Sequence, residues 1–191
     1  MLRRTILLAG LVVLLAAVSS CIFDAKEQEP DEEKPQGFKP LTTREAVLNN
    51  IEVAYEKRRL DKYDELLDVN FTFFLSTGDV GGGLPESWGR ADEITANSNL
   101  FNQTPPPPFP RCKRIQMDVK WEDGVSWSSS FPGGGTDEWH TTTVNYEFKI
   151  DVDPDMTYLN NPTAQAQFTV HNIGTEDAPD WRLVEFRDLG D

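Results

Sequence analysis

Cysteine is nearly absent from this chain: two in 191 residues, Cys21 and Cys112. A scaffold held together by several disulfides is therefore excluded. Basic residues are scarce against acids, 18 Lys and Arg facing 32 Asp and Glu, a net charge of −14. Such a chain lacks a generic phosphate-neutralising surface, which excludes nucleic acid as a partner. Anionic lipid headgroups should repel it as well. Only two histidines exist, His140 and His171, and with Cys112 they make a poor zinc set. No metal and no cofactor is expected. No apolar run reaches the ~20 residues of a membrane-spanning helix, and no internal repeat is present.

The longest apolar run, Ile6 to Val18, is broken only by Gly10 and follows the basic start Met1-Leu2-Arg3-Arg4. A basic start followed by a short apolar core is the layout of an export signal. The next residues, Val18-Ser19-Ser20-Cys21, resemble the lipobox of bacterial lipoproteins. That resemblance implies cleavage before Cys21, thioether lipidation of its sulfur, and acylation of the new amino terminus with fatty chains such as palmitate. One acyl chain holds a protein to a membrane only marginally, whereas several anchor it at ~0.8 kcal/mol per buried CH₂. Ile22, not Asp, follows the cysteine. In well-studied Gram-negative families this implies the outer membrane of the cell envelope. The membrane partner is thus reached through lipid at Cys21 alone.

The expected organisation is a signal peptide over residues 1–20, a lipidated and disordered acidic linker over 21–40, and one domain over 41–191. The linker reading rests on Asp24 to Pro40, which is acidic, contains three prolines and has almost no apolar side chains to bury. Thr42 with Glu45 fits a capping box. Val47, Leu48, Ile51, Ala54 and Tyr55 then form an apolar stripe, with Glu52 among the polar residues, and predict a helix to about Leu60. Asp61 is placed to cap a second helix, Lys62 to Asp68. Phe71 to Ser76 reads as a strand. The loop TGDVGGGL lacks the Gly-Lys-Ser/Thr ending of a phosphate loop, so nucleotide binding there is rejected.

A further helical pattern opens at Pro85, with Trp88, Ala91, Ile94 or Thr95, Ser98 and Phe101 on one side. Four strand patterns follow: Arg114 to Trp121, Trp139 to Val152, Thr163 to Asn172, and Trp181 to Leu189. They are joined by turns, including Gly133-Gly134-Gly135, so the sheet should be mostly antiparallel. Asp151-Val152-Asp153-Pro154-Asp155 alternates acids as a calcium loop does. Met156 and Pro162 stand where glycine and glutamate are needed, so it reads as a charged turn. Cys112 reads as a buried free thiol.

This order of elements resembles the nuclear transport factor 2-like, or ketosteroid-isomerase-like, superfamily. The resemblance is carried by Ala54 to Ser76, AYEKRRLDKYDELLDVNFTFFLS, and by the closing strand Asp180 to Leu189, DWRLVEFRDL. It implies an α+β fold in which a curved, mostly antiparallel sheet wraps around N-terminal helices into a cone, with a pocket at the open end. It implies no single activity, because the superfamily holds isomerases, dehydratases and many non-catalytic members.

Tyr55, Phe73, Trp88 and His140 are the pocket candidates, His140 being in phase with Val144 and Tyr146. Asp79 could stand for an isomerase base but reads more simply as a loop residue. No residue is assigned a catalytic role. The favoured reading is an envelope lipoprotein whose cone binds a small apolar ligand or a protein partner. An isomerase- or dehydratase-like enzyme is the alternative, marked by a carboxylate beside His140 in the pocket. A self-associating module is the third reading. It would form a homodimer through the sheet face if Ile115, Met117, Val119 and Trp121 lay outside.

Overall fold

The computed structural model describes residues 37–78, 80, 85–105, 110–121, 124–129, 139–153, 156–159 and 163–190. Cys21, Asp79 and the Gly133–Gly135 turn lie outside the described residues. Helix α1 (Arg44–Lys57) is the axis of the domain. Its cap is Thr43, not Thr42: the Thr43 hydroxyl accepts from the Ala46 N–H at 3.2 Å. The expected box does not form because the Glu45 carboxylate instead accepts from Trp127 Nε1 at 2.8 Å. The helix stops at Lys57, short of Leu60. Arg58 takes a left-handed conformation, φ 52°, a position usually filled by glycine or asparagine. Arg58 Nη1 donates to the Cys112 carbonyl at 2.9 Å, which fixes this turn against the sheet.

Every residue from Ala46 to Tyr55 is buried. The apolar stripe is as the spacing predicts, but Glu52, expected on a solvated face, is only 5% exposed. Its carboxylate accepts from the Val119 N–H at 2.5 Å and from Trp121 Nε1 at 3.1 Å, so its burial is satisfied by the sheet edge. Asn50 works the same way. It accepts from the Lys39 N–H at 2.8 Å and donates to the Lys39 carbonyl at 2.7 Å. Asn49 Nδ2 donates to the Gly37 carbonyl at 3.0 Å. Residues 37–40 are thereby strapped onto α1, and the ordered domain already includes Gly37.

Helix α2 (Leu60–Leu66) begins without a side-chain cap, because Asp61 pairs with Arg59 at 2.6 Å instead. Strand β1 (Leu67–Phe74) follows at once. Next come β2 (Ser87–Gly89), α3 (Arg90–Phe101), β3 (Cys112–Val119) and β4 (Ser128–Ser129). The chain ends in β5 (Trp139–Val152), β6 (Met156–Leu159), β7 (Gln165–Asn172) and β8 (Trp181–Gly190). Along the sheet of the described residues the order is β2-β1-β8-β7-β5-β3, with β4 and β6 also pairing with β5. The β1–β8 pair is parallel and the others are antiparallel.

Strand β5 bends the sheet. Its first half, Trp139 to Asn145, pairs with β7, and its second half, Tyr146 to Val152, pairs with β3. One strand serving two sets of neighbours curls the sheet around α1. Phe168, Val170 and Leu183 are fully buried beneath it, as are Leu48 and Ile51 on the helix. Ile115, Met117 and Val119 face this core, 3%, 6% and 0% exposed, and Trp121 packs at its margin. The apolar set that would have marked an external pairing face is thus internal. Cys112 is a buried free thiol, and burial pushes its pKa up.

Candidate functional site

At one end of the cone α1, α3 and the strands β1, β2, β3, β8 and the bent β5 line a half-open cavity of about 250 Å³. Tyr55, Phe73, Trp88, Leu100, Met117, Tyr146, Phe148 and Phe186 give it apolar walls, and Glu93, Asn97 and Asp188 give it polar groups. Aromatic packing builds the walls. Phe73 and Trp88 face each other across the β1–β2 register and stack at 4.4 Å between ring centres. Tyr55 meets Tyr63, Phe101 and Phe148 edge to face at 5.2, 5.2 and 5.5 Å.

Helix α3 supplies the polar floor. The sequence pattern puts Trp88, Ala91, Ile94 or Thr95, Ser98 and Phe101 on one inward side, and of these Ile94 and Phe101 do pack against the core. The buried residues are instead Glu93, Asn97 and Phe101, four apart. The phase differs because the chain before α3 is not helical: Ser87 to Gly89 pair with β1, and Gly89 caps the helix. Trp88 therefore enters the cavity from a strand. Its Nε1 donates to Glu93 Oε2 at 2.6 Å. Tyr63 OH and Asn97 Nδ2 each donate to Glu93 Oε1 at 2.7 Å. Three donors thus hold one buried carboxyl group. Burial is the main cause that raises the pKa of both Tyr55 and Tyr63 well above 10, and both stay neutral phenols at ordinary pH.

Three of the four sequence candidates, Tyr55, Phe73 and Trp88, line this cavity together. His140 does not. It lies at the far end of β5, six residues from Tyr146, about 20 Å at ~3.3 Å per residue. Strand parity gave its face correctly but not its end of the cone. Its Nδ1 sits 3.1 Å from Arg44 Nη1, and its ring meets Trp181 edge to face at 5.4 Å. Arginine can only donate, so Nδ1 accepts in this pair. Glu45 and Glu176 line the same surface pocket as His140 and Arg44, away from the aromatic cavity. His171, on the other face of the sheet, has Asp68 Oδ2 at 3.8 Å and Trp139 tilted against its ring at 4.9 Å. Among the described residues no group of three His, Cys, Asp or Glu is placed to hold a metal.

Glu93, Asn97 and Asp188 were missed from the sequence. A signal existed for the first two: Glu93, Asn97 and Phe101 recur every fourth residue, with the aromatic showing which face is buried. Asp188 had a weaker one. It falls in phase with Phe186 on a strand whose alternate residues Glu185 and Arg187 point out.

No protein-family model matches the chain, and no curated protein matches it significantly. Solved structures do. A nuclear transport factor 2-like superfamily protein from Salmonella enterica aligns with a TM-score of 0.51 at 11% identity, covering 75% of this chain and 85% of that one. A protein assigned provisionally as an aromatic ring hydroxylase, from Novosphingobium aromaticivorans, aligns at 0.50 and 13% identity, covering 75% and 82%. A ketosteroid isomerase-like protein from Erwinia carotovora atroseptica aligns at 0.48 and 11%, covering 77% and 92%. The chain has the nuclear transport factor 2-like fold. Similarity at this identity defines the fold alone and assigns no activity.

Proposed function

We propose that this protein is a bacterial envelope lipoprotein, held to the membrane through lipid on Cys21, whose cone binds a small and largely apolar ligand without transforming it. The observation that carries the binding reading is the aromatic cavity of about 250 Å³ with polar groups gathered at its floor. That is the usual composition of a ligand site, and its size lies just below the ~300–1,000 Å³ of common ones, which suits a ligand of one or two rings. A catalytic acid or base needs an oxygen or nitrogen within reach of substrate. Glu93 spends both oxygens on Tyr63, Asn97 and Trp88, and His140 lies elsewhere.

Native mass spectrometry of protein extracted from its own membranes tests the binding reading. A reproducible small adduct that is lost when Trp88 and Phe73 are changed to alanine supports it. Repeated bare masses overturn it. For the anchor, Cys21→Ser should release the protein from the membrane fraction and remove the fatty mass. A serine variant that stays bound refutes the anchor and leaves the cavity reading untouched.

An acid–base enzyme is the second reading, favoured by Asp188, whose carboxyl reaches the cavity. Turnover of the adduct by the wild type and none by Asp188→Asn would establish it.

A further inference from the structure

The geometry points to an organic cation, a small aryl- or alkyl-ammonium, as the ligand class of the cavity. This rests on the binding reading above and narrows it. The first observation is charge. The cavity is lined by two carboxyl groups, Glu93 and Asp188, and by no lysine, arginine or histidine among the described residues. The nearest arginine along the strand, Arg187, is turned to the outer face, where it covers the Phe74 ring at 3.8 Å and pairs with Glu185 at 3.1 Å. Among the described residues no protein cation lines the cavity beside these two acids.

The second observation is how the two acids are held. Glu93 is locked by its three donors and is 3% exposed, so both its oxygens are already engaged within the protein. Asp188 is different. Its Oδ1 accepts from the Gly190 N–H at 3.0 Å, and its Oδ2 makes no hydrogen bond or ion pair among the described residues. It is half-buried, on the same strand face as Phe186, and it reaches an apolar cavity. A polar oxygen covered by a ligand that gives it no partner is penalised. An anion would be repelled there. A bare neutral ring would leave Oδ2 unpaired, and a neutral hydroxyl would pair with it more weakly than a charged donor does. An ammonium group would pair with it.

The third observation is independent of the acids. The walls are aromatic faces, and aromatic faces attract organic cations through the ring quadrupole, tryptophan most strongly. Trp88 is fixed in place by its stack on Phe73 and its bond to Glu93. The net charge of −14 also raises the local concentration of cations around the molecule.

The test uses the full chain in a non-ionic detergent and three probes of one shape: phenethylammonium, 2-phenylethanol and phenylacetate. Affinity is read by calorimetry and tryptophan fluorescence. Phenethylammonium should bind at least ten-fold more tightly than 2-phenylethanol, with phenylacetate weakest. Asp188→Asn should remove that preference, bringing phenethylammonium down to the affinity of 2-phenylethanol. Ala96→Lys, at an exposed position on the cavity rim, should reverse it in favour of phenylacetate. This second variant tests the idea even if Asp188→Asn folds poorly. Equal binding of the ammonium and the alcohol overturns the inference and keeps the binding reading. If no probe binds, both fall.

Discussion

Glu93→Ala should destabilise the domain far more than its place on a surface helix suggests. The carboxyl group is 3% exposed and takes hydrogen bonds from Tyr63, Asn97 and Trp88. Removing an acceptor from a buried donor costs about 1–3 kcal/mol. Two of these donors, Tyr63 at 0% and Asn97 at 5% exposure, cannot turn to water. Each keeps a secondary partner: Asn97 bonds the Glu93 carbonyl at 3.2 Å, and Tyr63 neighbours the Tyr55 hydroxyl. The loss is therefore about 2–3 kcal/mol rather than the full sum. With a guanidinium slope of roughly 2–6 kcal/mol per molar, the unfolding midpoint should fall by roughly 0.3–1.5 M. Glu93→Gln retains one acceptor and should fall between the two. Glu56→Ala, an exposed glutamate on α1, is the control and should stay within about 0.5 kcal/mol of wild type. Equilibrium denaturation followed by tryptophan fluorescence reads all three. If Glu93→Ala matched Glu56→Ala, the buried network would be carrying no load and the account of the cavity floor would be wrong.

Glu52→Ala should cost about 1–3 kcal/mol, because it strands the buried Val119 N–H, and hydrogen exchange at that amide should accelerate. Thr43→Ala should cost about 0.5–2 kcal/mol while Thr42→Ala costs little. Equal effects in thermal melts would contradict the cap assignment. The contribution of Tyr55 and Tyr63 to stability should be constant below pH 10 and should fall as the pH rises above it. The unfolded chain then releases the protons of Tyr55 and Tyr63 while the folded chain keeps them, each giving about 1.4 kcal/mol per pH unit. Absorbance near 295 nm should show these two phenols ionising only with unfolding. Titration of all four tyrosines before unfolding would refute it.

Much of the architecture was legible because it depends on local periodicity. The stripe Val47, Leu48, Ile51, Ala54, Tyr55 and the alternation of β3, β5, β7 and β8 are repeats of 3.6 and 2 residues, and any strand or helix built on them must bury those faces. Tyr55, Phe73 and Trp88 could be grouped because large aromatics on successive elements of a cone converge at its open end. Some failures were local, such as the cap at Thr43 and the Arg59–Asp61 pair, and the others were contacts between distant segments. Arg58 in a left-handed turn carries no glycine to announce it. Glu52 looks like a surface residue until the edge of β3 comes to meet it.

The composition and the first 21 residues determined what the chain excludes and where it is expected to live, since charge sums and apolar run lengths need no fold to be read. Which histidine meets which neighbour, and which end of the cone each strand residue occupies, was decided only in three dimensions. The reason is that β5 changes partners halfway along. A pairing register is a property of two strands at once, so His140 and Tyr146, equivalent along one strand, were separated only when β7 and β3 each claimed a half of it.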